Sequence, residues 1–194
     1  MNSHFFFIYF LPVLLLWPTL SFASTDVRTA RSVDLNRYLG RWYQIAAVPQ
    51  FFQRNCASNT TAEYSLVEND RIQVFNSCTD KQGDRISSVG RGKIVDPKTN
   101  AKLKVTFLKV GMWLYLFGGN YWIIELDPHY QWAVVGEGSR QHGWILARSP
   151  SLEKTELISI AEKIKAQGYE LCAFTTEIQR GGLEARQPLC DYIK

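Results

Sequence analysis

The sequence predicts an all-β fold: an eight-stranded up-and-down antiparallel β-barrel, closed on itself, with a C-terminal α-helix packed outside. Three observations carry this prediction. Eight short segments of alternating or β-branched and aromatic character follow one another at residues 41–48, 60–66, 71–78, 87–95, 102–108, 121–126, 131–136 and 143–147. The separators between them are too short to hold a crossover helix, so neighbouring strands must run antiparallel. A single long helical period appears only after the last strand, and a meander of this length removes its two bare edges by closing.

The elements follow in order. Residues 1–23 carry an apolar run at 5–16 and end on Ser21-Phe22-Ala23, a small-x-small pattern that predicts a cleaved export signal and leaves one domain at 24–194. The run is interrupted by Pro12, is followed by Pro18 and is short for a bilayer span. Asp34 is placed to cap a short helical turn in which Leu35, Tyr38 and Leu39 are apolar, and Gly40 ends it. The strand separators have turn chemistry: 68–70, 81–84, 96–100, Gly118-Gly119-Asn120, Asp127-Pro128 and 136–139. The helix is expected to open near Ser149-Pro150-Ser151 and to stop at Gly168. Its stripe is Leu157, Ile160, Ala161 and Ile164, with Glu153, Lys154, Glu156, Glu162 and Lys163 opposite. Residues 169–176 offer one more short strand, and Gly181-Gly182 begins an irregular arm.

The 22 basic and 18 acidic residues are scattered without a basic run, so no nucleic-acid partner is expected. Cys56, Cys78, Cys172 and Cys190 form an even set in a chain predicted to be exported, which favours two disulfides. Cys56 and Cys78 flank one predicted hairpin and Cys172 and Cys190 flank the C-terminal excursion, which favours local pairing; Cys56 with Cys190 is the rival. No C-x-x-C occurs, and beyond residue 23 only His129 and His142 are histidines, so no metal is expected. Neither G-x-S-x-G nor H-E-x-x-H occurs. The chain is therefore read as a non-enzyme without a cofactor, an unpaired Cys56 or Cys78 in the barrel being the one route to a thiol-dependent isomerase. Asn59-Thr60-Thr61 fits an N-glycosylation acceptor.

Three motifs then coincide with the signature regions of the lipocalin family. Gly40-Arg41-Trp42-Tyr43 resembles the G-x-W-Y signature that opens the first strand. Leu126-Asp127-Pro128-His129-Tyr130 resembles the T-D-x-x-Y pattern, with Leu126 at the threonine position. Trp144-Ile145-Leu146-Ala147-Arg148 resembles the third region, whose arginine follows the last barrel strand. Within the family the chain is most similar to the branch of bacterial lipocalin Blc and apolipoprotein D, through Thr61 to Leu66, Tyr121 to Ile124 and Trp144 to Arg148. The resemblance implies a carrier of a small hydrophobic ligand, a fatty acid or lysophospholipid, that serves membrane maintenance. It implies that Trp42 closes the bottom of the barrel with Arg148 packed across it, and that Gly40, Tyr43, Asp127 and Tyr130 belong to the same structural motif. Bacterial members often carry a lipid-bearing cysteine after the signal; Ser24 stands there, which predicts a soluble periplasmic or secreted form without a lipid anchor.

An eight-stranded barrel is wide enough to fill itself or to enclose one small ligand. Alternation places Ala46 and Val48, then Ala62, Tyr64 and Leu66, then Ile72 and Val74, and then Leu103, Val105 and Phe107 on the inward, ligand-lining face. For each of these residues, filling the closed end is an equal alternative. On the last three strands both faces are apolar, and Trp122 against Ile123 or Trp132 against Ala133 stays open. Residues 108–117 hold Val110, Met112, Trp113, Leu114, Tyr115 and Phe117 around one Lys109 and one Gly111. So much apolar area in a hairpin tip marks a lid, a membrane-docking tip or a homodimer patch, unless the tip folds back inward.

Overall fold

The structure, a computed structural model, describes residues 26–68 and 71–194. The predicted export signal and the turn residues Asn69 and Asp70 lie outside them. The predicted strands form one antiparallel sheet: β1 (Gly40–Ala47), β2 (Cys56–Val67), β3 (Arg71–Asp80), β4 (Arg85–Ile94), β5 (Lys102–Thr106), then β8 (Gly119–Leu126), β9 (Trp132–Gly136) and β10 (Gly143–Ala147). β10 pairs with β1, which closes the barrel. Between β5 and β8 the chain makes an excursion containing a separate small hairpin, β6 (Lys109–Val110) and β7 (Met112–Trp113). β5 stops earlier than its apolar alternation suggests. The Thr106 hydroxyl donates to Leu114 O and accepts the Leu108 N–H, which turns the chain out of the sheet.

One end of the barrel is sealed. Asp34 accepts the backbone N–H of Asn36 and of Arg37, starting α1 (Leu35–Tyr38). Gly40 then takes φ +90, a left-handed geometry in which a side chain is strained; an added Cβ would only touch Arg148 Nη1, at 3.4 Å. Trp42 is fully buried, and its indole N–H donates to Tyr38 O at 2.8 Å. The Arg148 guanidinium lies 3.8 Å over the Trp42 ring and donates to the carbonyls of Arg37, Arg41 and Tyr130. One cation thus ties α1, β1 and the turn after β8, and a cation over an indole contributes about 0.5 to 2 kcal/mol. Tyr130 and Asp127 hold that turn. The Tyr130 hydroxyl accepts the Asp34 N–H, and the Asp127 carboxylate accepts the N–H groups of His129 and Gln131.

The other face of β1, β8, β9 and β10 is covered by α2 (Lys154–Ala166). The predicted stripe of Leu157, Ile160, Ala161 and Ile164 is buried, and Gly168 ends the helix at φ +81. The helix starts at Lys154 rather than near Ser149, because the first α-type bond at its start runs from Leu157 N to Glu153 O.

β1 carries a bulge between Gln44 and Ala46, and this corrects the inward assignment of Ala46 and Val48. Gln44 stands opposite Leu146 on the interior face, but one extra residue later Ala46 stands opposite Ile145, which packs under α2. Strict alternation carried across a bulge puts every following side chain on the wrong face. Ala46 and Val48 therefore pack in the outer cluster with Ile45, Leu157 and Ile160.

Beyond Tyr43 and Thr61, β1 and β2 part, and the C-terminal arm fills the wedge. β11 (Thr175–Thr176) pairs with Ala46 and Ala47, and Asn59 N donates to Ile178 O. The Gln179 amide bridges Gln44 O and Thr60 O. The Glu177 carboxylate is buried here, which pushes its pKa up. Arg186 at 2.8 Å, Thr60 Oγ1 at 3.1 Å and Gln44 Nε2 at 3.4 Å hold it. The Asn59 side chain, half-buried, is engaged in the same seam, donating to Ser58 and Thr79 and accepting from Arg180 N.

Trp42→Ala is expected to cost about 3 to 5 kcal/mol through the cavity left in a closed core. Chemical denaturation at neutral pH measures this; an unchanged midpoint would remove Trp42 from its role at the sealed end.

The barrel interior as candidate functional site

Cross-strand pairing fixes which side chains look inward. Tyr64 stands opposite Val74, Ala62 opposite Asn76, and Ile72 opposite Gly92. Gly92 stands opposite Val105, and Val105 opposite Gly119. The strands left open by the sequence resolve. Tyr121, Ile123, Ala133, Val135, Trp144 and Leu146 join the interior cluster, whereas Trp122, Trp132, Val134 and Ile145 pack outward beside α2.

The interior divides into two halves. Next to the sealed end, Tyr38, Trp42, Tyr64, Ile72, Val74, Leu103 and Ile123 are all buried, and the space left among Tyr38, Tyr64, Tyr121, Ile72, Leu103 and Val105 is about 10 Å³. A space of this size takes about one water molecule and no hydrocarbon chain. Four of the expected lining residues, Ile72, Val74, Leu103 and Tyr64, thus fill the closed half with their own bulk. Towards the mouth the wall is looser. Ala62, Asn76, Val105, Tyr121 and Trp144 are only half-buried, and Ser88, paired with the inward Asn76, is exposed. A Cβ built on Gly119 would meet nothing within 4 Å. This is the open end of the barrel, and Gly119 itself is exposed there.

Two of the expected lining residues lie at the rims. Leu66 keeps the inward parity of Tyr64 but lies at the tip of β2 and is 45% exposed. Phe107 has left β5 and is 47% exposed, but its ring lies over the inward face of Gly90, where an added Cβ would come within 2.8 Å of it. Phe107 therefore faces inward as expected, as a half-open flap at the mouth.

Three phenols form the polar feature of the closed half. The Tyr121 hydroxyl lies 2.8 Å from both the Tyr38 and the Tyr64 hydroxyls. Two contacts among three O–H groups leave one proton without an acceptor among the described residues, however the donors are arranged. Tyr38 and Tyr121 were not on the expected lining; Tyr38 comes from α1 and Tyr121 from a strand whose two faces read alike. Burial pushes the Tyr64 phenol up to about 12, and pushes Tyr38 and Tyr121 well above their usual value.

All four cysteines are paired, Cys56 with Cys78 and Cys172 with Cys190. The rival Cys56–Cys190 pairing is ruled out, and the thiol route to an isomerase has no thiol to use. Among the described residues no group of three or more His, Cys, Asp or Glu side chains converges as a metal site. A larger concavity of about 750 Å³ lies outside the barrel, between residues 26–32, the turn after β8 and the end of α2. It is wide open and bordered by Asp26, Arg28, Arg31 and Asp127, so a hydrocarbon placed there would stay in contact with water.

The excursion does not fold back into the barrel. Trp113 and Tyr115 are half-buried against the outer wall, while Val110, Met112, Leu116 and Phe117 are exposed by 66, 69, 84 and 70%.

A closed eight-stranded antiparallel barrel, sealed by a Trp–Arg stack at one end, open at the other and flanked by one helix, defines a lipocalin-type scaffold. A family model described as a lipocalin-like domain matches residues 33–179, and the chain belongs to the lipocalin family, whose members bind small hydrophobic ligands. It is 36% identical over 149 residues to temperature-induced lipocalin-1 of Arabidopsis thaliana, covering 75% of this chain and 79% of that protein. It is 31% identical over 159 residues to the outer membrane lipoprotein Blc of Escherichia coli strain K12, covering 80% and 84%. Insecticyanin of the tobacco hornworm Manduca sexta shares the fold with a TM-score of 0.61 at 20% identity, over 81% of this chain and 90% of that one.

The phenol cluster gives a pH prediction. A tyrosine whose folded pKa is raised stabilises the fold below its unfolded value near 10, and that stability is lost as the pH rises through the folded value. Spectrophotometric titration is expected to show Tyr64 ionising only near pH 12, and Tyr38 and Tyr121 resisting ionisation well beyond the usual range, with stability falling above pH 10. Ionisation of all phenols near pH 10 in folded protein would contradict the buried cluster.

Proposed function

We propose that this protein is an exported, non-enzymatic carrier that holds a fatty acid or the acyl chain of a lysophospholipid in the open half of its barrel, in the service of membrane maintenance. The observation that carries the reading is the loose inward wall of Ala62, Val105, Tyr121 and Trp144 beside the vacant space at Gly119. Removing a hydrocarbon from water is worth about 0.8 kcal/mol per buried CH₂, so even a partly inserted chain gains several kcal/mol. The closed half does not admit the chain, and this selects a chain end or bend that stops at the Tyr121 layer. A polar head then lies at the mouth, where Asn76 and Ser88 supply hydrogen-bonding groups. The unused phenol proton offers a donor to whatever oxygen reaches that layer, a water or a ligand atom. Both disulfides suit an oxidising compartment, periplasmic or extracellular.

The small deep cavity favours one second reading, a barrel that binds nothing and serves as an interaction module. Gly119→Trp separates the two, because Gly119 does not use a positive φ and its missing side chain points into space. After delipidation, titration with a fatty acid or lysophosphatidylethanolamine is expected to give saturable binding by the native chain. Gly119→Trp should weaken it on the order of ten-fold or more, the equivalent of about 1.4 kcal/mol, with the melting temperature nearly unchanged. No saturable binding by the native chain would leave the interaction module.

A further inference from the structure

The outer wall of β3, β4 and β5 carries a cationic surface that the linear sequence disperses. Outward parity puts Arg71 on β3, Arg91 and Lys93 on β4 and Lys104 on β5, with Arg71 opposite Val67, Arg91 opposite Thr106 and Lys93 opposite Lys104. The excursion folds onto this wall and adds Lys109. Two of its rings are each flanked by two cations: Tyr115 by Arg71 at 5.8 Å and Lys93 at 5.1 Å, Trp113 by Arg91 at 5.4 Å and Lys109 at 5.5 Å. None of the five cations has an acidic partner among the described residues. Residues 97–124 contain no Asp or Glu at all and four Lys.

Charge without counter-charge stands here beside apolar area without cover. Leu116 and Phe117 project next to Tyr115, and Val110 and Met112 next to Trp113. The loop after β1 and the excursion after β5 emerge at the same end of the barrel, opposite the sealed end. That loop, on the β1 side of the barrel, also exposes Phe51 and Phe52, by 79 and 56%. A soluble acidic protein would match the charge but would leave the protruding aliphatic tips without pockets to fill. A bilayer takes both: the tips enter the boundary below the headgroups, the rings sit at headgroup level, and the cations meet phosphate.

We infer that the excursion and the β3–β5 wall form a docking surface for anionic phospholipid bilayers, which lays the flank of the barrel along the membrane, from the root of the excursion down to Arg71 and Lys93. The inference deepens the membrane role proposed above by naming the headgroup chemistry and the residues that read it. Membrane attraction of this kind is worth about five-fold in partitioning per cation near an anionic surface and is screened by salt.

The test uses the delipidated mature protein in co-sedimentation with vesicles of phosphatidylcholine alone or mixed with phosphatidylglycerol. The native chain is expected to favour the phosphatidylglycerol vesicles strongly at low salt and to lose most of that preference at high salt. Arg71→Gln/Lys93→Gln/Lys109→Gln should lower partitioning to anionic vesicles on the order of a hundred-fold, at about five-fold per charge. Leu116→Ser/Phe117→Ser should weaken binding to both vesicle types. Both variants leave the barrel intact and are expected to keep the native melting temperature and fatty-acid affinity. Equal partitioning of the native chain to the two vesicle types, or no effect of the charge variant, overturns the inference while leaving the carrier reading in place. Loss of fatty-acid binding by the native chain with anionic-vesicle binding retained has the opposite meaning. Poly-glutamate binding as tightly as the vesicles would overturn the bilayer in favour of an acidic protein partner.

Discussion

Closure of the barrel through β1 is the constraint on which the rest depends. β1 pairs with β2 over its first half and with β10 over its second, and without both pairings the interior is an open sheet with an apolar face in water. Strands in so small a barrel must tilt and bend strongly, and the bulge after Gln44 supplies the bend. The same bulge decides the chemistry on either side: Gln44 remains inside, while Ile45 and Ala46 are delivered to α2.

The two ends of the barrel serve opposed requirements. At the sealed end Arg148 donates to three carbonyls from separate segments, and its flat face covers Trp42. Such a cation is fixed by several partners at once, which is why arginine and not lysine suits the position. The phenol cluster above it is equally rigid and keeps its protons, so the floor of the hollow is neutral and polar. Towards the mouth the wall loosens at Gly119, where a side chain would meet nothing, whereas the Phe107 ring occupies the place a Gly90 side chain would take and Ile72 and Val105 border Gly92. The packed half supplies the stability that lets the omission at Gly119 stand.

The strands and the helix were legible because their periods are long and unbroken. The stripe of Leu157, Ile160, Ala161 and Ile164 is buried as its spacing implies, and both disulfides close the local loops their positions suggest. The interior was legible only where alternation runs without interruption, as at Ala62, Tyr64, Ile72, Val74, Leu103 and Val105. Ala46 and Val48 were misplaced because a bulge leaves no mark in a run of apolar residues. Leu66 and Phe107 keep their inward parity but are half-exposed, because strand ends were read as strand middles. Tyr38 and Tyr121 went unseen since their meeting depends on α1 lying across the sealed end. The cationic wall was invisible for a different reason: its members come from three strands and an excursion, far apart in sequence and adjacent only across the sheet.

The wedge between β1 and β2 has a consequence for how this chain is made. Gln179 reaches back 135 residues to the Gln44 carbonyl, and Glu177 N closes on Ile45 O. The seam of the first strand is thus sealed by residues synthesised long after it. A nascent chain has β1 with half of one edge unsatisfied, and contacts of such long sequence separation form late. The first strand accordingly locks only after the arm has followed it, with the Cys172–Cys190 bridge able to form last of all.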